Sequence, residues 1–221
     1  MAEPTAQVKL KISYFSTIFF DILTRSLHFV KRMIRKAVFV GSYYKLEEIP
    51  ADRAQVAFGG RSNVGKSSLL NGLVGQKKLA RISKTPGRTQ AINFFLIDDR
   101  YYFVDLPGYG FANAPHEKRE EWGRLVDAYL NTATQLRGLI FLLDCRREPN
   151  EDDLMLLDWI EKKDVEFLPV LTKADKLSRS QIAKKRDELG KVLKVLPVPF
   201  STISGIGVTE ILKWIDKRVS R

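Results

Sequence analysis

Gly60-Arg61-Ser62-Asn63-Val64-Gly65-Lys66-Ser67 decides how the rest of this 221-residue chain is read. The stretch fits the spacing G-x-x-x-x-G-K-[ST]. It follows the strand-like run Gln55–Phe58 and opens an apolar helix at Ser68, Leu69 and Leu70. A chain that passes from strand to helix through such a loop curls successive N–H groups inward around a phosphate. The helix N-terminus adds its partial positive charge. Lys66 is placed to bridge terminal phosphate oxygens, and the Ser67 hydroxyl to ligate magnesium. The candidate phosphate-binding set is therefore Gly60, Arg61, Ser62, Asn63, Val64, Gly65, Lys66 and Ser67. The loop alone does not separate ATP from GTP, or a kinase from a switch.

Downstream, Asp105-Leu106-Pro107-Gly108 closes the strand-like run Tyr101–Leu106. An aspartate at the carboxyl end of a neighbouring strand can hold magnesium through a water. Gly108, without a Cβ, can bring its N–H up to a γ-phosphate. Between the two motifs lies the polar segment Ser83-Lys84-Thr85-Pro86-Gly87-Arg88-Thr89-Gln90. A threonine here could complete the magnesium shell only while the γ-phosphate is present, the device of a nucleotide switch. Thr85 and Thr89 both qualify on sequence.

Thr172-Lys173-Ala174-Asp175 follows the run Glu166–Leu171. The Asp175 carboxylate can accept from guanine N1–H and the 2-amino group. Adenine offers neither donor, so a site built on those paired bonds rejects it. The aliphatic stem of Lys173 would lie on the base plane. Phe200-Ser201-Thr202 closes the last strand-like run, where backbone could contact guanine O6. A kinase or ATPase leaves Thr172–Asp175 without a purpose.

Around these motifs the pattern alternates. Strand-like runs fall at Gln55–Phe58, Ile92–Ile97, Tyr101–Leu106, Leu139–Leu143, Glu166–Leu171 and Val198–Ser201. Helical patterns fall at Lys66–Leu73, Glu117–Asn131, Asp152–Lys163, Gln181–Val195 and Thr209–Val219. Phe94–Ile97, Asp98-Asp99-Arg100 and Tyr101–Val104 read as an antiparallel hairpin. The other strands alternate with helices, which implies right-handed crossovers and helices on both faces. The expected fold is α/β: a P-loop NTPase with three α/β/α layers. Its sheet is mostly parallel, with about six strands and one antiparallel edge strand. Ligands in such sheets bind beyond the carboxyl ends of the strands.

Composition bounds the rest. Hydrophobic residues are 44% and charged residues 29% of the chain, which excludes wholesale disorder. A formal net charge of +11 suggests a polyanionic partner, nucleic acid or an anionic membrane surface. The basic residues fall in three groups: Lys77, Lys78, Arg81, Lys84 and Arg88; Arg146 and Arg147; and Lys184, Lys185, Arg186, Lys191 and Lys194. With one cysteine, Cys145, and two histidines, neither a disulfide nor a Cys/His zinc framework can be built. Residues 1–36 form a separate block. In it Phe15, Ile18, Phe19, Ile22, Leu23, Leu27, Val30, Met33 and Ile34 recur at helical spacing. Asp21, Thr24, Arg25 and His28 interrupt its apolar run, so no membrane span is expected. An amphipathic helix or partly disordered extension is expected over 1–36, and one domain over 37–221.

Taken together, the motifs resemble the EngB-type ribosome-biogenesis GTPases. These sit within the TRAFAC class and the TrmE-Era-EngA-EngB-Septin-like superfamily. The matching residues are Gly60–Ser67 as GRSNVGKS, Thr85–Gln90 as TPGRTQ, Asp105–Gly110 as DLPGYG and Thr172–Asp175 as TKAD. Phe111-Ala112 and Phe200-Ser201-Thr202 also fit. The likeness covers about residues 35–221 and leaves the N-terminal block outside. It implies a cytoplasmic, monomeric GTP/GDP-binding switch that acts in assembly of the large ribosomal subunit, on its rRNA. Normal cell division and septation are implied as well. It implies Ser67 and Thr89 as magnesium ligands, choosing Thr89 over Thr85, and Gly87, Arg88, Thr89, Gln90 and Ala91 near the nucleotide. Asn63 matches a position that helps bind potassium in related GTPases, where the ion would replace an arginine finger. Lys66, Thr89 and Asn63 are thus the expected catalytic residues. Tyr109 stands where Ras-like switches carry a water-orienting glutamine, so hydrolysis is expected to be slow. The rival reading is a membrane- or division-associated GTP-binding scaffold with little turnover.

Overall fold

The structure, a computed structural model, describes residues 34–76, 79, 91–110 and 116–220, with 116–119 as helix backbone only. The expectations placed on residues 1–33, on Lys77, Lys78, Arg81 and Lys84, on Thr85 and Gly87–Gln90, and on Phe111-Ala112 lie outside the described residues. One compact unit spans Arg35–Arg221.

Seven strands form one sheet: β1 (Ala37–Tyr43), β2 (Gln55–Gly60), β3 (Ile92–Ile97), β4 (Tyr101–Asp105), β5 (Leu136–Asp144), β6 (Phe167–Thr172) and β7 (Val198–Pro199). Their order is β1-β3-β4-β2-β5-β6-β7. From β4 to β7 all neighbours run parallel. Antiparallel pairing is confined to the β1, β3 and β4 side. The α/β class, the layers and the mostly parallel sheet are as expected. One strand was not: β1 pairs outside β3, so β3 lies one place in from the edge. The β3–β4 hairpin turns at Asp98 and Asp99, with φ of 49° and 56°. Positive φ at both centre residues suits the right-handed twist of the strands. Asp98 also accepts from the backbone of Arg35 and Lys36, at 2.9 and 2.8 Å, tying the approach to β1 onto this turn.

Five helices lie among the described residues: α1 (Lys66–Val74), α2 (His116–Thr132), α3 (Glu151–Lys162), α4 (Arg179–Leu193) and α5 (Val208–Val219). β2 is buried along its whole length, as a central strand covered on both faces should be. Ala57, Phe94, Val104, Leu139 and Phe141 face the core shared with Trp122, Tyr129, Leu156 and Ile160 from α2 and α3, and with Leu189 and Leu193 from α4. α1 and α5 pack together and against β2, and α5 also packs on β5, which makes the third layer. Fully burying a side chain such as Phe58 or Leu70 contributes about 1.5–3 kcal/mol.

Caps set the helix limits. α4 begins two residues before the expected start because Ser178 and Gln181 form a capping box, each side chain accepting the other's backbone N–H. Asn150 and Asp153 do the same for α3. β7 is shorter than expected because the Ser201 N–H turns away to the Ile206 carbonyl, at 3.3 Å.

Candidate functional site

The carboxyl ends of β4, β2, β5, β6 and β7 lie side by side, and the quoted motifs occupy those of β4, β2, β6 and β7. In register, Asp105 stands beside Phe58, Leu142 beside Gly60, and Thr172 beside Asp144. Three segments far apart in sequence thereby converge on one rim.

The phosphate loop starts as β2 ends. Val64 N–H donates to Arg61 O at 3.1 Å, and Gly65, at φ +114°, caps α1 while its carbonyl takes the Leu69 N–H at 2.8 Å. That φ is the reason position 65 needs glycine. Lys66 forms an ion pair with Asp105, whose other oxygen accepts from Asn93 Nδ2 at 3.3 Å. Both partners of the ion pair are largely buried. Ser67 is in the first turn of α1, beside them in sequence. Gly108 lies so close to the loop that a Cβ there would sit 3.2 Å from Ser62 Cα and N. Arg61 continues the pairing beyond β2 by bridging to Tyr109, and Ser62 N–H donates to Tyr109 O at 2.7 Å.

Thr172 is buried and its hydroxyl faces two carbonyls, Val64 O at 2.5 Å and Leu143 O at 3.1 Å. Its single proton is shared between the phosphate loop and the end of β5. Lys173 takes a left-handed φ of 59°. Its Nζ donates to Asn63 O and to Asp144 Oδ2, both at 2.8 Å. This lays its stem alongside the loop. Asp175 accepts from Ser201 Oγ at 2.8 Å and pairs with Lys176 at 3.3 Å. The Ser201 bond, helped by Lys176, outweighs the opposing effect of burial and holds its carboxyl below the ordinary range. Ser201 Oγ in turn accepts the N–H groups of Ile203 and Ser204, at 3.1 and 3.4 Å, so its proton is directed at Asp175. Phe200 is buried and its carbonyl takes the Ala174 N–H at 3.0 Å. Thr202 is exposed in the following turn, and Ala91 leads into β3, half-buried.

Three features were missed by sequence reasoning. Asp144 is bonded by Arg146 through two nitrogens, at 2.9 and 2.7 Å, and by Lys173. Burial pushes its carboxyl upward, but these bonds outweigh it and leave the group well below the usual carboxylate range. Asp153 accepts the Tyr109 hydroxyl at 2.7 Å. Trp122 Nε1 donates to the Pro107 carbonyl, also at 2.7 Å. Only Asp153 had a sequence signal, the Asn150-x-x-Asp153 cap, and that signal pointed to a helix start. Beside the loop opens a cleft of about 450 Å³ with Arg61, Asn63, Asp144, Arg147, Asp153 and Lys173 among its walls. Among the described residues no group of three or more His, Cys, Asp or Glu side chains could hold a metal by itself.

A family model described as "50S ribosome-binding GTPase" matches residues 55–173, which hold the first three motifs and half of the fourth. A probable GTP-binding protein EngB of Halothermothrix orenii is 49% identical over 189 residues, covering 82% of this chain and 94% of the relative. Another, from Caldanaerobacter subterraneus, is 39% identical over 192 residues, covering 85% and 99%. The chain belongs to the EngB family of GTP-binding proteins. As a member of the EngB family it is a GTPase, hydrolysing GTP to GDP and phosphate. A crystal structure of a probable GTP-binding protein EngB shares the fold, at TM-score 0.63 and 23% identity, over 76% of this chain and 99% of that one. The G domain of the T. maritima FeoB iron transporter is similar at TM-score 0.52 and 27% identity, covering 75% and 98%. Tyr109, in the EngB-type DLPGYG stretch, is buried with its hydroxyl on Asp153.

Proposed function

We propose that this chain is a GTP-driven switch in assembly of the large ribosomal subunit. The observation that carries the reading is the convergence of Gly60–Ser67, Asp105–Gly108 and Thr172–Asp175 with Ser201 on one rim, in a chain of the EngB family. In this reading Gly60–Ser67 wrap the phosphates and Lys66 neutralises the terminal oxygens. Gly108 N–H meets the γ-phosphate. Asp175, aligned by Ser201, reads guanine, and Thr172 ties that reader to the loop. On the family pattern, Gly87–Ala91 and Phe200–Thr202 would also contact the nucleotide. The hard-oxygen donors Ser67 and Thr89 would hold magnesium, with Asp105 as a nearby carboxylate, and the ion would neutralise phosphate charge. The domain runs over 37–221, with 1–36 an extension. The chain works as a cytoplasmic monomer.

Intrinsic hydrolysis is slow, on the order of 10⁻⁴–10⁻² s⁻¹, because Tyr109 is held by Asp153 and orients no water. Asn63 would help hold a potassium ion, which would supply the missing positive charge. Faster hydrolysis in potassium than in sodium, lost in Asn63→Ala, is the expected result; equal rates in both salts reject the ion.

An rRNA partner would meet only part of the basic set, because several of these cations are already bonded within the fold. Lys185 is buried against Glu148, Arg186 donates to the Pro197 carbonyl at 2.8 Å, and Arg146 is spent on Asp144. Arg147, Lys191 and Lys194 stay exposed. Co-sedimentation with ribosomal subunits, in GDP and in a non-hydrolysable GTP analogue at two salt concentrations, tests the role. Salt-sensitive binding to the large subunit only with the analogue is expected. Binding in neither state would remove the ribosomal partner and favour a division- or membrane-linked role.

A further inference from the structure

Gly108 is held by its neighbours. On one side the Pro107 carbonyl accepts from Trp122 Nε1 at 2.7 Å. On the other, Tyr109 is fixed twice: its carbonyl takes the Ser62 N–H and its hydroxyl donates to Asp153 Oδ1, each at 2.7 Å. Tyr109, Trp122 and Asp153 are all at most 4% exposed. Asp153 does not float either. Its second oxygen accepts the Asn150 N–H at 2.9 Å within the α3 capping box. Trp122 is packed between the Tyr109 ring, 5.0 Å away, and Trp159 of α3, 5.7 Å away and stacked. Gly108, packed against the phosphate loop, is therefore clamped from α2 and α3, which lie outside the quoted motifs.

We infer that Tyr109 and Asp153 are positioning residues for GTP, holding the Gly108 N–H where a γ-phosphate arrives. The inference rests on the reading that Gly108 meets that phosphate. A loop already held in the competent shape binds the triphosphate without an ordering cost. If the clamp is loosened, the apparent affinity falls by the fraction of time the loop is competent. GDP has no γ-phosphate and does not sense Gly108. Burial raises the Asp153 carboxyl above its ordinary range while the Asn150 and Tyr109 bonds pull it back, as expected of a desolvated group that depends on its two donors. Deleting the tyrosine hydroxyl leaves one buried carboxylate oxygen short of a partner, which makes this bond costly to lose.

The test uses the full chain with four variants: Tyr109→Phe, Asp153→Asn, their double, and Gly108→Ala. Affinities for GDP and for a non-hydrolysable GTP analogue are measured alongside melting temperature and steady-state hydrolysis. Tyr109→Phe keeps the ring packing, so GDP affinity is expected to stay within about twofold while analogue affinity falls about 5- to 30-fold, with a matching loss in kcat/KM. Asp153→Asn should behave alike, and the double should be no worse than the weaker single, since both break one bond. Suppose Gly108→Ala loses the analogue selectively while Tyr109→Phe and Asp153→Asn weaken both nucleotides equally, or only lower the melting temperature. The two residues then serve packing alone and the inference is overturned, with the Gly108 reading intact. If Gly108→Ala spares the analogue, the reading beneath it fails and the inference goes with it.

Discussion

In the segment proposed to read guanine, Thr172 stands where such motifs usually have asparagine, and its one hydroxyl makes the structural bonds at that position. Because it reaches both Val64 O and Leu143 O, it fastens the phosphate loop to the sheet from inside. Thr172→Val keeps the shape and removes only the donor. Two buried carbonyls then compete for nothing, which costs about 1–3 kcal/mol of stability. Urea unfolding should show that loss, and GDP titration should show weaker binding as Val64 slackens. At this scale the sequence was most informative. The phosphate loop, Asp105–Gly108 and Asp175 were readable as candidates because the chemistry proposed for them depends on residue type at short spacing. Ser201 aimed at Asp175 was not, since the two are 26 residues apart and only the fold aligns them. The Tyr109–Asp153 bond spans 44 residues and was hidden for the same reason.

Among the elements, α5 depends on one backbone turn. Gly207 caps its start at φ +83°, and a Cβ there would lie 2.1 Å from the Pro199 carbonyl oxygen. Gly75, which ends α1 at φ +66°, has nothing within 4 Å of its imagined Cβ. Gly75→Ala should cost only the left-handed strain of about 1–2 kcal/mol. Gly207→Ala adds a collision with backbone and should cost at least about 3–4 kcal/mol, enough to move the urea midpoint far more than its counterpart. Equal midpoints would mean that β7 and α5 can separate freely. Elements between long apolar runs were legible because burial on both faces imposes continuous hydrophobicity. β1 was not. Its burial alternates, Val38 and Val40 are exposed, and its ladder with β3 slips between Phe39 and Gly41. A seven-residue segment of that kind joins a sheet only because β3 offers an open side.

For the molecule as a whole, the division of labour is spatial. The proposed nucleotide site lies on the rim formed by β4, β2, β5, β6 and β7, while Tyr109, Trp122 and Trp159 pack against one another between that rim and α2 and α3. The net positive charge was legible as a number, but its distribution was not. Lys185 and Arg146 look like solvated cations in the sequence, and the fold commits them to Glu148 and Asp144. Periodicity cannot reveal this, because a charge on a helix face and a charge buried against a partner leave the same letter in the chain. The sheet's two outer borders carry a further consequence. One is β7, a strand of only two residues; the other is β1, broken by the slip at Phe39/Gly41. Neither offers an incoming strand a long, regular run of unpaired N–H and C=O groups. The open sheet is thereby guarded against stacking edge to edge into aggregates, even when newly made copies crowd together.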